Sequence, residues 1–563
     1  MGAADRLWLK SYPPGVPPTI DESRIGTLAQ LLQDAFAQHG RKSAFACMGA
    51  SLTYQQLDSL SGAVARWLQG RGLARGDRVA IMLPNVLQYP VVLAAILRAG
   101  FVVVNVNPLY TPRELEHQLA DSGARAIFVL ENFAATMAQV RGHVPTDNVC
   151  VCRLGDLLGA VRGALVDFVV RRVRKMVPPY SIAGAVSFRD VLRQGEGSPP
   201  APAKVAPNDI ACLQYTGGTT GVAKGAVLLH RNLFANVMQL QAWISPTLGE
   251  LPAGEQYTVV TALPLYHIFA FTCCALLTMK LGGKAVLIPN PRDVRALVSE
   301  VRRHRVHCFP AVNTLFNLLS NDAGFRSLDF SSLRFCLGGG MAVQRAVADK
   351  WRTVTGRAIC EGYGLSETSP VATANPPLSS DFSGTIGLPV PSTDVAILDE
   401  DGHPVPLGAT GEIAIRGPQV MDGYWLRPDE TARVMTADGF FRSGDLGVMD
   451  ERGFVRIVDR KKDMILVSGF KVFPNEVEEV VASHPGVREC AAIGVPDERS
   501  GEAVKLFVVR ADAALTEQDL VEYCKENLTG YKRPRFIEFR SDLPKSNVGK
   551  ILRRALREAA ASG

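Results

Sequence analysis

Short apolar runs rich in β-branched residues alternate with helix-patterned segments along most of this chain, and that alternation restricts it to sheets covered by helices. Residues 77–83 read as a strand, 88–98 as a helix, 101–105 as a strand, 112–121 as a helix and 126–130 as a strand. A connection crowded with Gly, Ser, Pro and Ala follows at 193–207. A second run then begins at Asp209, with strands expected at 211–215, 225–229, 258–263, 284–288, 307–309, 334–337 and 358–361. Between 381 and 457 Gly and Pro recur between short alternating runs, the pattern of antiparallel hairpins. The final stretch alternates on a smaller scale, as a separate α+β unit would, and the charged run from Arg460 to Asp463 marks the joint before it.

Composition removes several classes of function. With 47% hydrophobic and 21% charged residues the chain is globular rather than disordered or fibrous. Its net charge of +6, from 61 basic and 55 acidic side chains, is too thinly spread to argue for nucleic acid. The 11 Cys have no zinc-site spacing, so reduced thiols in a cytoplasmic protein are expected. The opening Met-Gly-Ala-Ala-Asp-Arg-Leu-Trp lacks the basic and apolar parts of a signal peptide. The stretch 256–279 carries no Asp, Glu, Lys or Arg, but Pro264 and the Tyr266-His267 pair interrupt it. It reads as a buried strand, a loop bearing His267 and a buried helix from about Phe269.

The most specific local motif is Tyr215-Thr-Gly-Gly-Thr-Thr-Gly-Val-Ala-Lys224. Gly217, Gly218 and Gly221 remove side-chain bulk, so backbone N–H groups can curl toward an anion. Thr216, Thr219 and Thr220 add hydroxyl donors and Lys224 a positive charge, which together suit a polyphosphate. The order G-x-x-x-x-G-K-[ST] is absent, so this is not the usual P-loop.

Further along, Glu361-Gly-Tyr-Gly-Leu-Ser-Glu-Thr368 sets an aromatic turn beside an acid and a hydroxyl. Between Gly362 and Gly364, Tyr363 offers a flat face for a purine, Glu367 a hard oxygen for Mg²⁺, and Thr368 a donor to phosphate. Asp445, in Ser443-Gly-Asp445, can accept hydrogen bonds from both hydroxyls of a ribose. No Ser or Cys nucleophile is aligned with His267, which argues against a covalent triad.

These motifs, in this order from Tyr215 to Lys550, resemble those of the adenylate-forming superfamily, which includes acyl-CoA synthetases. The resemblance implies an α/β fold. Its large N-terminal part, 1–460, would have several subdomains with covered sheets and a distorted antiparallel barrel, and 461–563 would form a small mobile α+β domain. It implies ATP and Mg²⁺, coenzyme A as co-substrate, and an acyl-AMP intermediate. By the same resemblance Arg460 reaches the ribose, Lys462 is the hinge, Lys471 lies near the phosphates or acyl-adenylate, and His267 positions substrate near the α-phosphate. Lys550, in Leu543-Pro-Lys-Ser-Asn-Val-Gly-Lys550, matches the lysine that bridges carboxylate and α-phosphate. The basic residues Lys545, Arg553, Arg554 and Arg557 are expected to face solvent or anionic surfaces.

Within the superfamily the chain looks most like bacterial long-chain fatty-acid CoA ligases, through Trp8-Leu-Lys-x-Tyr-Pro13 and Gly338-Gly-Gly-Met-Ala-Val343. Tunnel walls are expected from Phe309, Val312, Gly338, Gly339, Gly340 and Met341. Each buried methylene of a fatty tail is worth about 0.8 kcal/mol, which favours long chains in an apolar tunnel. A medium-chain, aryl or branched-acid CoA ligase is the alternative, and a nonenzymatic nucleotide sensor a remote one. The segment 166–177 mixes apolar and basic side chains and is a candidate for peripheral contact with an anionic membrane on its inner, cytoplasmic face. A homodimer is left open.

Overall fold

The computed structural model describes residues 6–197, 200–201, 203–216, 223–249, 251–497, 499–546 and 549–561. The first run of alternating elements forms an eight-stranded sheet. Its parallel part runs through Ile210–Thr216, Val102–Asn105, Arg78–Met82, Ala126–Leu130, Asn148–Cys152 and Val186–Ser187. These strands are apolar on both faces because helices cover both, as parallel sheets require. At the other edge the sheet turns antiparallel: Lys224–Leu229 returns beside Ile210–Thr216, and Gly423–Tyr424 adds a short final strand.

The second run builds a nine-stranded sheet whose parallel centre is Ile359–Gly364, Phe335–Gly338, Cys308–Ala311, Thr258–Thr261, Lys284–Leu287 and Ser43–Cys47. The uncharged stretch beginning at Gln256 is the strand Thr258–Thr261, a loop, and a buried helix from Ile268 to Lys280 whose middle turn, Phe271–Leu276, is π-helical. Among the described residues no helix is long and apolar enough to cross a membrane. All 11 cysteines are free and buried.

The Gly- and Pro-punctuated stretch forms a four-stranded antiparallel sheet, Asp394–Leu398, Gly411–Arg416, Phe441–Met449 and Val455–Arg460. Pairing runs open from the first strand to the last, so among the described residues hydrogen bonding closes no barrel. Beyond it, Phe470–Val472, Ile465–Val467, Gly501–Arg510, Val487–Asp497 and Phe536–Arg540 make a five-stranded sheet with helices Pro474–Ala482, Glu517–Asn527 and Arg553–Ala561. This smaller α+β unit has its own cores, around Val477, Leu506 and Leu520 on one side and Phe507 and Leu556 on the other. A large mixed α/β part with several sheets is thus followed by a smaller α+β part.

Candidate functional site

A cavity of about 1720 Å³ opens where the edges of these sheets meet the small unit. Thr216, Lys224, Glu367, Asp445, Arg460 and Lys550 all border it, although they span most of the chain. Thr216 ends one strand and Lys224 begins the next, and the two are paired Cα partners. The residues that bracket the glycine-rich stretch therefore sit on adjacent antiparallel strands, whereas a strand and a helix flank a P-loop. Gly217, Gly218, Thr219, Thr220 and Gly221 lie outside the described residues.

Lys224 Nζ is ion-paired with Glu430 and lies 5.3 Å from the ring centroid of Tyr424. Tyr424 comes from the short edge strand that pairs with Lys224–Leu229, and its hydroxyl donates to Glu367 Oε1 at 2.8 Å. Glu367 is buried, and burial raises the pKa of its carboxyl. A divalent cation beside it would offset that unfavourable charge. One carboxylate completed by substrate phosphates is a donor set that Mg²⁺ accepts, so the residues fit the ion.

Across the cavity the Tyr363 hydroxyl donates to Asp445 Oδ2 at 2.7 Å, and Arg460 Nε approaches Asp445 Oδ1 at 3.1 Å. Asp445 and Arg460 face each other on neighbouring antiparallel strands. Neither segment is the turn expected: Tyr363 lies in strand Ile359–Gly364 and Ser443-Gly-Asp445 in strand Phe441–Met449, and the two form one wall, to which Gly362 and Gly364 contribute backbone. Thr368 does not join it. Its side chain is fully buried, accepts from Leu365 N at 2.9 Å and donates to the Pro370 carbonyl. Ser366, which lacks the G-x-S-x-G context of a nucleophile, lines the cavity beside Glu367.

Lys550 enters from the small unit. Its Cε lies 3.6 Å from where a Cβ on Gly340 would stand, and Gly340 adopts φ +78°, a conformation most side chains avoid. Burial, then the Arg460 cation, pushes the Lys550 pKa down to about 8 while Asp445 opposes the shift. His267 caps the helix after its loop, its ring accepting from Phe269 N at 3.4 Å. Burial and then the neighbouring Lys550 push its pKa down to about 3, so it is a neutral imidazole. Lys462 borders the cavity from the joint, whereas Lys471 is exposed on Phe470–Val472 and lies outside it.

The apolar side of the cavity differs from the expected tunnel. Gly339, Gly340 and Met341 line it. Phe309, Val312 and Gly338 do not: Phe309 is packed edge-on against Phe325 and Trp351, Val312 is buried at the start of the next helix, and Gly338 is wedged against Ile359 and Val343. The wall comes instead from Leu240, Trp243 and Ile244 on one face of helix His230–Leu248, together with Phe269 and Leu337. Their i, i+3, i+4 spacing was a visible signal, but it does not distinguish a ligand wall from core. At the floor Glu361 is buried, accepts from Val343 N at 3.1 Å, and has its pKa raised to about 8 by burial.

The basic residues near the end of the chain also depart from expectation. Lys545 is paired with Glu489 and Asp542, Arg557 with Asp463, and Arg553 sits among Asp459, Asp463 and Glu478. Arg554 alone of the four is as exposed as expected, paired with Glu558 one turn on.

Comparison with known proteins is consistent along the whole chain. Residues 32–425 match the AMP-binding enzyme family model and 476–550 match the AMP-binding enzyme C-terminal domain. The chain is 54% identical to a long-chain-fatty-acid–CoA ligase of Yersinia pestis, covering 98% of both chains. It is 52% identical to the corresponding protein of an Escherichia coli O6:H1 strain, covering 99% of this chain and 98% of that one. Among solved structures, the anthranilate CoA ligase AuaEII in complex with anthranoyl-AMP superposes with a TM-score of 0.83 at 25% identity, over 97% of this chain and all of that one.

Proposed function

The chain belongs to the AMP-binding enzyme family, and from that premise we propose that it joins a long-chain fatty acid to coenzyme A at the expense of ATP, through an acyl-AMP intermediate. The observation that carries the reading is the single cavity that unites Thr216, Lys224, Glu367, Asp445 and Lys550 with an apolar wall of Leu240, Trp243 and Ile244.

In the first step a carboxylate oxygen of the fatty acid attacks the α-phosphorus of ATP. The new P–O bond forms as the bond to pyrophosphate breaks, and pyrophosphate leaves. Two anions must approach each other, so the barrier is largely electrostatic. Lys550, between Asp445 and the glycine turn at Gly340, is the group we assign to the attacking carboxylate and α-phosphate. Lys224 and Thr216 hold the β- and γ-phosphates, with Lys224 exchanging Glu430 for phosphate. Glu367 would hold Mg²⁺, which supplies further charge neutralisation when bound. Asp445 accepts the ribose hydroxyls, with Arg460 fixing its carboxylate, while Tyr363 flanks the adenine. His267, neutral at working pH, orients the carboxylate without adding charge.

In the second step the thiol of coenzyme A attacks the acyl carbonyl. A C–S bond forms, the C–O bond to AMP breaks, and the thiol proton passes to water. Phosphate neutralisation is not needed here, so Lys550 can withdraw. We take residues 461–563 as a unit that rotates about Lys462 between the two steps, bringing the Lys471 strand toward the cavity.

The apolar wall fits the fatty tail, and the long-chain relatives support a long one. A reducing cytoplasm is consistent with 11 buried free thiols. Contact with the inner face of an anionic membrane is supported by the segment around Ala160–Phe168. There Val161, Leu165 and Phe168 form one stripe, yet Val161 is 85% and Phe168 57% exposed. The opposite face is tied inward through Gly163 against Gly155 and Asp167 accepting from Gly155 N. Arg162, Arg172, Arg174 and Lys175 are exposed nearby.

Purified protein given MgATP and palmitate without coenzyme A tests the chemistry. Palmitoyl-AMP and pyrophosphate should form and persist, and added coenzyme A should convert the adenylate to palmitoyl-CoA. Intact ATP under these conditions would overturn the reading.

A further inference from the structure

Arg553 makes contacts that a solvent-facing basic residue would not. Its Nε and Nη2 donate to the two oxygens of Glu478 at 3.1 and 2.8 Å, and Nη2 also donates to Asn475 Oδ1. Its Nη1 reaches Asp459 Oδ1 at 3.3 Å and Asp463 Oδ2 at 3.5 Å. Burial disfavours the cation, but Glu478, Asp459 and Asp463 outweigh that cost and hold its pKa above the ordinary guanidinium value.

The partners lie on both sides of the joint. Asp459 belongs to Val455–Arg460, the last strand of the four-stranded sheet, and precedes Arg460, which contacts Asp445 in the cavity. Glu478 and Asn475 belong to helix Pro474–Ala482 of the small unit, and Asp463 lies just past Lys462. Arg553 itself begins helix Arg553–Ala561, shortly after Lys550. One side chain therefore ties the Lys550 segment both to its own unit and back across the joint to the strand that supports the cavity.

The two attachments differ in strength. The fork-like contact with Glu478 is bidentate, so Arg553 travels with the small unit. Asp459 is fully buried on the last strand of the four-stranded sheet, where Arg460 N donates to it at 2.7 Å, so it stays with that strand; from the small unit Asn475 N also donates to it at 2.8 Å. Rotation about Lys462 therefore breaks two contacts to Asp459, the longer one from Arg553 and the backbone one from Asn475.

We propose that Arg553 is a positioning residue for the adenylation step, a latch whose release from Asp459 lets Lys550 leave the cavity. The proposal rests on the reading of Lys550 given above. A residue needed only for the fold of the small unit would affect both half-reactions, because both use that unit. A latch acts on one: its loss slows adenylation and leaves thioester formation from ready-made adenylate intact or faster.

The test uses the full chain with Asp459→Asn, Arg553→Lys and Lys550→Ala. Palmitate-dependent ATP–pyrophosphate exchange reports the first step, and palmitoyl-CoA formation from supplied palmitoyl-AMP reports the second. Asp459→Asn leaves the Glu478 contact in place and should lower exchange on the order of tenfold, with the second step unchanged or faster. Arg553→Lys, which keeps the charge but loses the fork, should move the ratio the same way. Equal losses in both steps, or no loss in either, with Lys550→Ala still deficient in exchange, would overturn the latch alone. Normal exchange by Lys550→Ala would instead bring down the reading of Lys550, and the latch with it.

Discussion

Tyr363 and Asp445, 82 residues apart in the chain, are joined by a 2.7 Å hydrogen bond from the phenol to the carboxylate. The bond joins strand Ile359–Gly364 of one sheet to strand Phe441–Met449 of another, so the groups assigned to adenine and ribose are held in one wall by a direct contact. Arg460 takes the other carboxylate oxygen, so both oxygens of Asp445 are oriented.

Asp445→Asn removes the charged acceptor while preserving its size. Charge-assisted hydrogen bonds are worth roughly 1.5–3 kcal/mol, so KM for ATP should rise about tenfold to a hundredfold. The wild type should discriminate against 3′-deoxy-ATP, and the variant should lose most of that discrimination. Steady-state kinetics with the two nucleotides measures both effects.

Lys550 acts as the ammonium, and its pKa in the free enzyme is pushed down to about 8 by burial and Arg460. The active, protonated form is populated below that value and lost above it. The kcat/KM for palmitate in the adenylation half-reaction should therefore fall as pH rises through about 8. Lys550→Arg, whatever its absolute rate, should carry that limb to higher pH.

Glu367→Gln keeps the hydrogen bond from Tyr424 but removes the anionic ligand. The Mg²⁺ concentration for half-maximal adenylation should increase by about tenfold or more, with palmitate KM changing far less. A magnesium titration of pyrophosphate release separates this from a general loss of activity.

Leu165→Ser with Phe168→Ser breaks the outward apolar stripe without touching the cavity. Flotation with vesicles containing phosphatidylglycerol should fall sharply, while activity on micellar palmitate stays within about twofold. Reversing Arg172 and Arg174 to Glu should also weaken flotation, and salt should weaken binding of the wild type. Equal flotation by all variants would remove this surface.

Much of the architecture was legible because local pattern and global layer agree: the strands expected around 211–215 and 225–229 are Ile210–Thr216 and Lys224–Leu229. The motif residues Lys224, Glu367, Asp445 and Lys550 were legible because each is a charged or glycine-flanked exception to its surroundings. What stayed hidden depends on tertiary pairing. Tyr424 and Glu430 carry no motif of their own and reach Lys224 only because Gly423–Tyr424 pairs as an edge strand. Phe309 and Trp243 are both buried aromatics, and only packing decides that the first fills a core while the second borders the cavity. Arg553 looked like surface charge because its counter-charges lie in Val455–Arg460, after that strand, and in helix Pro474–Ala482.

The most direct test of the account follows one oxygen atom. Palmitate labelled with ¹⁸O in its carboxylate is turned over with MgATP and coenzyme A, and the AMP is analysed by mass spectrometry. Attack of the carboxylate on the α-phosphorus, followed by thiol attack at the carbonyl, leaves a single labelled oxygen in each AMP and none in pyrophosphate. Unlabelled AMP, or formation of ADP in its place, would contradict the account.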